Sequence, residues 1–155
     1  MRTDIICRQL SADDLPLVRE LLAVFADAFD DRVTYLQAQP DDRYLQALLA
    51  QPHVIVIAAI RAGAVVGGLA AYELEKLEQA RSEIYIYDLA VADGWRRRGV
   101  ATALIRELER IGASRGAWVI FVQADPTDPP AIALYESLGT REDVHHFDIQ
   151  VRRKV

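Results

Sequence analysis

A run of β-branched and aromatic residues, Tyr85-Ile86-Tyr87-Asp88-Leu89-Ala90-Val91, leads within a few residues into Arg96-Arg97-Arg98-Gly99-Val100-Ala101. No other stretch of the chain restricts the fold so far. The first part suits an extended strand. The second opens an amphipathic helix, with Val100, Leu104, Ile105, Leu108 and Ile111 on one side and Arg106, Glu107, Glu109 and Arg110 on the other. A strand that turns directly into a helix leaves several N–H groups of the first turn without backbone partners. With three guanidinium groups beside them, those donors make an anion site whose spacing suits a diphosphate. Gly99 lets the backbone approach a ligand, and Ala101 keeps the first turn slim.

The flanking sequence supplies the other elements. Ile5 to Leu10 reads as a strand, and Ser11-Ala12-Asp13-Asp14 resembles a capping box ahead of a helix carrying Leu15, Val18, Leu21, Leu22 and Phe25. Asp41 is the expected cap of a second helix with Tyr44, Leu45, Leu48 and Leu49 on one face, ended by Pro52. His53 to Ile60 is an apolar run expected of a strand covered on both faces. Ala62-Gly63 turns the chain into a strand from Ala64 to Glu73, where Gly67-Gly68 marks a bulge or a close approach by a ligand. Ser82 to Val91 is the next strand, and Ala117 to Gln123 is apolar enough to be central. Asp128-Pro129-Pro130 starts a helix stopped by Gly139, and Val144 to Val151 is expected as a last strand. The order β-α-α-β-β-β-α-β-α-β, without repeat or linker, implies one α/β domain over residues 1–155, a mixed sheet flanked by helices.

Composition narrows the chemistry. A net charge of -5 disfavours nucleic acid as a partner and favours a cationic one. Asp30-Asp31, Asp41-Asp42, Glu73, Glu75, Glu78, Glu83, Asp88, Asp125, Asp128 and Glu142-Asp143 fall mostly at loops and element ends, where the fold could gather them. No run approaches the length of a membrane span, and no secretory signal pattern opens the chain, so a cytoplasmic protein is expected. The single cysteine, Cys7, is expected as a small buried hydrophobe, and His53, His145 and His146 lack zinc-site spacing, so no metal is expected. Of His145 and His146, one is expected to face the core or a cleft and the other solvent.

Asp88 stands out within its strand. In strict alternation it shares a face with Ile84 and Ile86, while Glu83, Tyr85, Tyr87 and Leu89 share the other. An unpaired carboxylate on an apolar face is costly to bury. Either a bulge re-aims Asp88, or it pairs with a basic neighbour, or it serves a ligand.

The pattern Arg-x-x-Gly-x-Ala at Arg96 to Ala101 resembles the acetyl-CoA pyrophosphate loop of the GNAT superfamily of N-acetyltransferases. Ala133-Leu134-Tyr135-Glu136-Ser137-Leu138-Gly139 resembles the superfamily's last-helix motif, Leu-Tyr-x-x-x-Gly. The resemblance implies a GNAT fold, a mixed and mostly antiparallel sheet whose fourth and fifth strands splay. Acetyl-CoA would be the co-substrate, its pantetheine held by the backbone of Leu89, Ala90 and Val91 and its pyrophosphate by Arg96, Arg97, Arg98, Gly99, Val100 and Ala101. Tyr135 would approach the sulfur and protonate the departing thiolate. Asp88 and Glu83 are the carboxylates best placed to take the proton of an attacking amine.

The likeness extends further in Thr34-Tyr35 leading to Gln39-Pro40-Asp41, in Ala70-Ala71-Tyr72, in Arg81 through Val91, in Val122-Gln123-Ala124-Asp125 and in His146-Phe147-Asp148-Ile149. These stretches are similar to aminoglycoside 3-N-acetyltransferases of the gentamicin-modifying type. The resemblance implies acetylation of the 3-amino group of the 2-deoxystreptamine ring, conferring resistance, with Tyr35, Glu83, Tyr85, Asp88, Asp125 and Asp128 lining the acceptor site. Where the family often has glutamine at the start of the pyrophosphate motif, this chain has Arg96, a replacement not expected to hurt CoA binding. An acetyltransferase of polyamines or another small amine would use the same residues. Because members often dimerise, a homodimer is expected, with a partner chain completing the sheet or the acceptor cleft.

Overall fold

The computed structural model describes residues 4–154. The chain divides into two compact units, Met1–Gln123 and Ala124–Val155. The first unit holds a five-stranded sheet in the order β1-β2-β3-β4-β5, built from β1 (Ile6–Gln9), β2 (Val54–Arg61), β3 (Ala64–Glu75), β4 (Ser82–Val91) and β5 (Ala117–Val122). Neighbours from β1 to β4 pair antiparallel, and β5 runs parallel to β4. That last pairing needs a crossover, supplied by the helix α3 (Val100–Arg115).

Two helices cover one face, α1 (Leu15–Phe29) and α2 (Asp42–Leu49). Val18, Leu21 and Phe25 of α1 and Leu45 of α2 are buried there against Val54, Val56, Ala58 and Ala90. Ser11, the expected N-cap, instead closes a turn ahead of α1, and Asp14 holds the N-cap position with Leu15 as the first helical residue. Asp14 accepts from the Ser11 N–H at 2.8 Å, while the Ser11 hydroxyl serves Asp13 N–H at 3.2 Å. Asp41 caps α2 through Tyr44 N–H at 2.9 Å. On the opposite face α3 buries Val100, Leu104, Ile105, Leu108 and Ile111, all five of its expected apolar positions.

Gly67-Gly68 serves the fold rather than a ligand. The β2–β3 register slips beside Gly67, and a Cβ on Gly68 would lie 2.4 Å from Leu21 Cδ1. The close approach is therefore made by α1. Two expectations fail. β5 is the edge of the sheet rather than a central strand, because Val144 to Val151 forms no strand to pair with it. The second unit's regular structure is α4 (Pro129–Leu138), begun by Asp128 and ended at Gly139.

Candidate active site

Strand β4 decides the geometry. Ser82 to Ile86 pair with β3 on one side and with Ala117 to Val122 of β5 on the other. Beyond Ile86 the β5 ladder stops, while β3 remains paired with Leu89, Ala90 and Val91 through Leu69, Gly68 and Gly67. The two strands thus part as expected, and the edge of Leu89–Val91 that faces away from β3 is left without a strand partner, its Val91 C=O taken by Arg96 Nε at 3.1 Å and its remaining backbone groups open to an extended ligand.

The same point carries a bulge. Ala70 pairs with Asp88 and Ala71 with Ile86, so Tyr87 is the extra residue on β4. One inserted residue shifts everything after it by half the strand period. Ser82, Ile84 and Ile86 are buried beneath α3, where Ile84 Cδ1 reaches Gly112. Asp88 does not continue that face. It turns to the α1 side, where Tyr35 Oη donates to its Oδ1 at 3.0 Å. The bulge resolves the open question about Asp88.

Tyr35 is held from several directions. It lies on a short π-helical turn, Val33–Gln37, that the sequence pattern did not reveal. Its ring meets Phe25 edge-on at 5.8 Å and Phe29 at 5.5 Å. Its carbonyl accepts from Gln39 Nε2 at 2.8 Å, and Gln39 Oε1 accepts from Arg19 of α1 at 2.6 Å. Burial first, and the Asp88 charge second, raise the Tyr35 phenol far above its ordinary range, so it stays protonated and donates. Burial also raises the Asp88 carboxyl above the ordinary aspartate value, and the Tyr35 hydrogen bond opposes part of that rise.

Further tyrosines stand by Asp88. Tyr72 meets Tyr87 at 6.2 Å and Tyr87 meets Tyr85 at 5.7 Å. Tyr85 stacks on Phe121 at 4.8 Å and donates to Gln123 Oε1 at 3.0 Å. Neither Tyr72 nor Tyr87 is among the expected acceptor-site residues. A short hairpin between β3 and β4 would have put Tyr72 opposite Tyr85, which is the observed register. Glu83 lies on this face too, with Lys76 Nζ 3.6 Å from its carboxylate.

The other expected carboxylates are mostly engaged locally. Asp42 pairs with Arg19 at 2.6 Å, Glu78 with Lys76 at 3.2 Å and Glu73 with Arg115 at 2.8 Å. In the second unit Asp125 accepts from the Thr127 hydroxyl and N–H, at 2.7 and 2.8 Å. Asp128 caps α4 through Ala131 N–H at 3.2 Å. Tyr135 sits on α4, its phenol raised by burial and then by the Asp128 charge. His145 and His146 are both exposed, with His146 Nε2 2.8 Å from Asp148, so neither faces a core.

After β4 a 3-10 turn, Asp93–Trp95, leads into the basic loop. Arg96 folds back, donating to Val91 C=O at 3.1 Å and pairing with Asp93 at 2.9 Å. Arg97 and Gly99 take left-handed conformations with φ of 59° and 79°. Among the described residues, no acceptor serves the N–H groups of residues 98–102; the first satisfied donor is Ala103, bonded to Gly99 C=O at 3.0 Å. Space above Gly99 is open, with nothing within 4 Å of a built Cβ. A cluster of free donors in an open cradle fits a diphosphate group.

Comparison with known proteins agrees with this geometry. Residues 18–140 match the model of the acetyltransferase (GNAT) family. The structure is similar to that of an aminoglycoside acetyltransferase from an uncultured soil metagenomic sample, with 56% identity, a TM-score of 0.94, and coverage of 96% of this chain and 99% of the other. A second soil metagenomic aminoglycoside acetyltransferase, in complex with sisomicin, shares 32% identity at a TM-score of 0.89, covering 96% and 97%. The N-acetyltransferase family 8 member 2 of Rattus norvegicus is 27% identical over 85 residues, 55% of this chain and only 38% of that protein. With a paired-then-parted β4–β5, an open anion cradle and a family match over most of its length, the chain belongs to the acetyltransferase (GNAT) family.

Proposed function

We propose that this protein is an acetyl-CoA-dependent N-acetyltransferase that acetylates the 3-amino group of the 2-deoxystreptamine ring of gentamicin-type aminoglycosides, conferring resistance. The observation that carries the reading is Asp88. A half-buried carboxylate, oriented by a neutral phenol rather than neutralised by a cation, stands among tyrosines where β4 parts from β5. The two soil relatives support the substrate class, since both are aminoglycoside acetyltransferases and one was solved with sisomicin.

Acetyl-CoA would supply the acetyl group as a thioester. Leu89, Ala90 and Val91 would hold its pantetheine arm, and Arg97, Arg98, Gly99, Val100 and Ala101, with Arg96 bracing the turn, its pyrophosphate. The acceptor amine must lose a proton before it attacks. For a simple alkylammonium this costs about 4.6 kcal/mol at pH 7, being about 3.4 units at 1.36 kcal/mol each, and less for a more acidic drug amine. Asp88 attracts the ammonium and accepts that proton, and its raised pKa makes it a stronger base than a solvated aspartate. Tyr35 holds Oδ1, leaving Oδ2 for the amine. Tyr85 would line the acceptor site, and Glu83 would add negative charge tempered by Lys76. Tyr135, its phenol raised by burial and by the Asp128 charge, stays protonated. Direct transfer in a ternary complex needs no enzyme nucleophile.

Exposed, alternating Phe147, Ile149 and Val151 support a homodimer in this reading, which light scattering tests. Thiol release from acetyl-CoA with gentamicin, followed by NMR of the product, tests the activity and the position together. Release with an acetyl group on the 3-amino nitrogen supports the proposal. Release on another nitrogen keeps the substrate class and overturns the position. Turnover of spermidine with none of gentamicin overturns the drug-modifying reading.

A further inference from the structure

Three guanidinium groups at one end of the sheet have no carboxylate partner among the described residues: Arg61, Arg97 and Arg98. All three are exposed, in a chain whose net charge is -5. Two of them converge on one indole. Arg61 Cζ lies 4.8 Å from the Trp95 ring centroid and Arg98 Cζ lies 5.0 Å from it. Arg98 belongs to the basic loop, but Arg61 is the last residue of β2 and comes from a separate hairpin. That hairpin reverses tightly through Ala62 and Gly63, with φ of 49° and 81°, which delivers Arg61 to the ring.

Two like charges brought to one ring repel each other, and an indole face compensates each only weakly. An anion within reach of both guanidinium groups offsets that repulsion. The free N–H groups of residues 98–102 already suit the two phosphates of a diphosphate. Arg61, carried by another element, extends positive charge beyond that cradle and has no role in it. We propose that Arg61 and Arg98, docked on Trp95, form a subsite for a phosphomonoester on the nucleotide ribose, by which the protein selects CoA over its dephospho form. The inference rests on the reading of Arg96 to Ala101 as the CoA pyrophosphate loop.

Titration calorimetry tests it, with CoA and dephospho-CoA as ligands for the parent and for Arg61→Ala. The expected result is CoA binding at least tenfold tighter than dephospho-CoA in the parent. Arg61→Ala should bind both alike, near the parent's value for dephospho-CoA, and Arg61→Lys should restore part of the difference. Adenosine 3′,5′-bisphosphate should displace CoA from the parent better than adenosine 5′-diphosphate, whereas free inorganic phosphate should compete only at far higher concentration. Equal binding of CoA and dephospho-CoA by the parent overturns the subsite while leaving the pyrophosphate loop intact. Loss of binding of both ligands in the parent overturns the loop reading itself. Since Arg61 is exposed, unchanged thermal melting of Arg61→Ala separates lost contact from lost fold.

Discussion

The β3–β4 ribbon carries a half-buried carboxylate near each end, and the two behave oppositely. Glu73 accepts from the Ser82 hydroxyl at 2.6 Å and from Arg115 at 2.8 Å. Burial alone would raise it, yet the Ser82 and Arg115 bonds together bring it below the ordinary glutamate value. Asp88 has a phenol instead of a guanidinium, and burial prevails. A cation turns a buried carboxylate into a brace between α3 and the sheet, while a neutral donor leaves a poised base. The difference sets a carboxylate braced by a cation apart from the one proposed to act as the base, without reference to sequence position.

The largest expected effect falls on turnover. Asp88→Asn should lower kcat with gentamicin by about 10²- to 10⁴-fold while CoA binding by calorimetry is unchanged. Loss of both would move Asp88 out of the chemistry and into the fold. Glu73→Gln should do the reverse. It leaves Arg115 short of a charge partner and should cost about 1–3 kcal/mol, read as a lower melting temperature with kcat per folded molecule retained.

Tyr35→Phe probes the neutral donor. It should lower kcat about 2- to 10-fold, the worth of one net hydrogen bond of about 0.5–1.5 kcal/mol. Because the Tyr35 bond is what holds the Asp88 pKa down, the acid limb of the kcat/KM profile should also move to higher pH. An unmoved limb would mean that Tyr35 merely packs.

The smallest effect is on stability against pH, and its sign is the sharpest contrast. Glu73 has a lowered folded pKa, so its stabilisation is present above the unfolded value near 4.3 and disappears as pH falls through the folded one. Asp88 has a raised folded pKa, so the fold is favoured below the unfolded value near 3.9 and loses that contribution as pH rises through the folded one. Asp88→Asn should therefore melt higher than the parent at pH 7, and the gap should close in acid. If Asp88→Asn and Glu73→Gln shift melting in the same direction at pH 7, the contrast between the two carboxylates is wrong.

Local physics made much of this legible in advance. Asp41, Asp128 and Gly139 mark helix ends because capping is decided within a few residues. The alternation of Ser82 to Ile86 and the 3.6-residue spacing of Val100 to Ile111 needed no partner to be read. The cradle at Arg97–Ala101 was readable for the same reason, since a strand, a left-handed glycine and a helix start are adjacent in sequence. Val144 to Val151 has the alternation of a strand yet pairs with nothing among the described residues, because alternation reports propensity and a strand needs a neighbour.

What the sequence determined by itself was most of the elements, the open cluster of donors ahead of α3 and the presence of an anomalous carboxylate. Only the tertiary structure decided which way that carboxylate points. The bulge at Tyr87 depends on register between β3 and β4, and the Tyr35–Asp88 bond joins residues 53 positions apart. The aromatic packing of Phe25 and Phe29 and the relay from Arg19 through Gln39 set Tyr35 in place from α1 and the turn after it. The pKa of Asp88 follows from that enclosure, because desolvation and the absence of a cation are properties of a folded neighbourhood, not of any one residue.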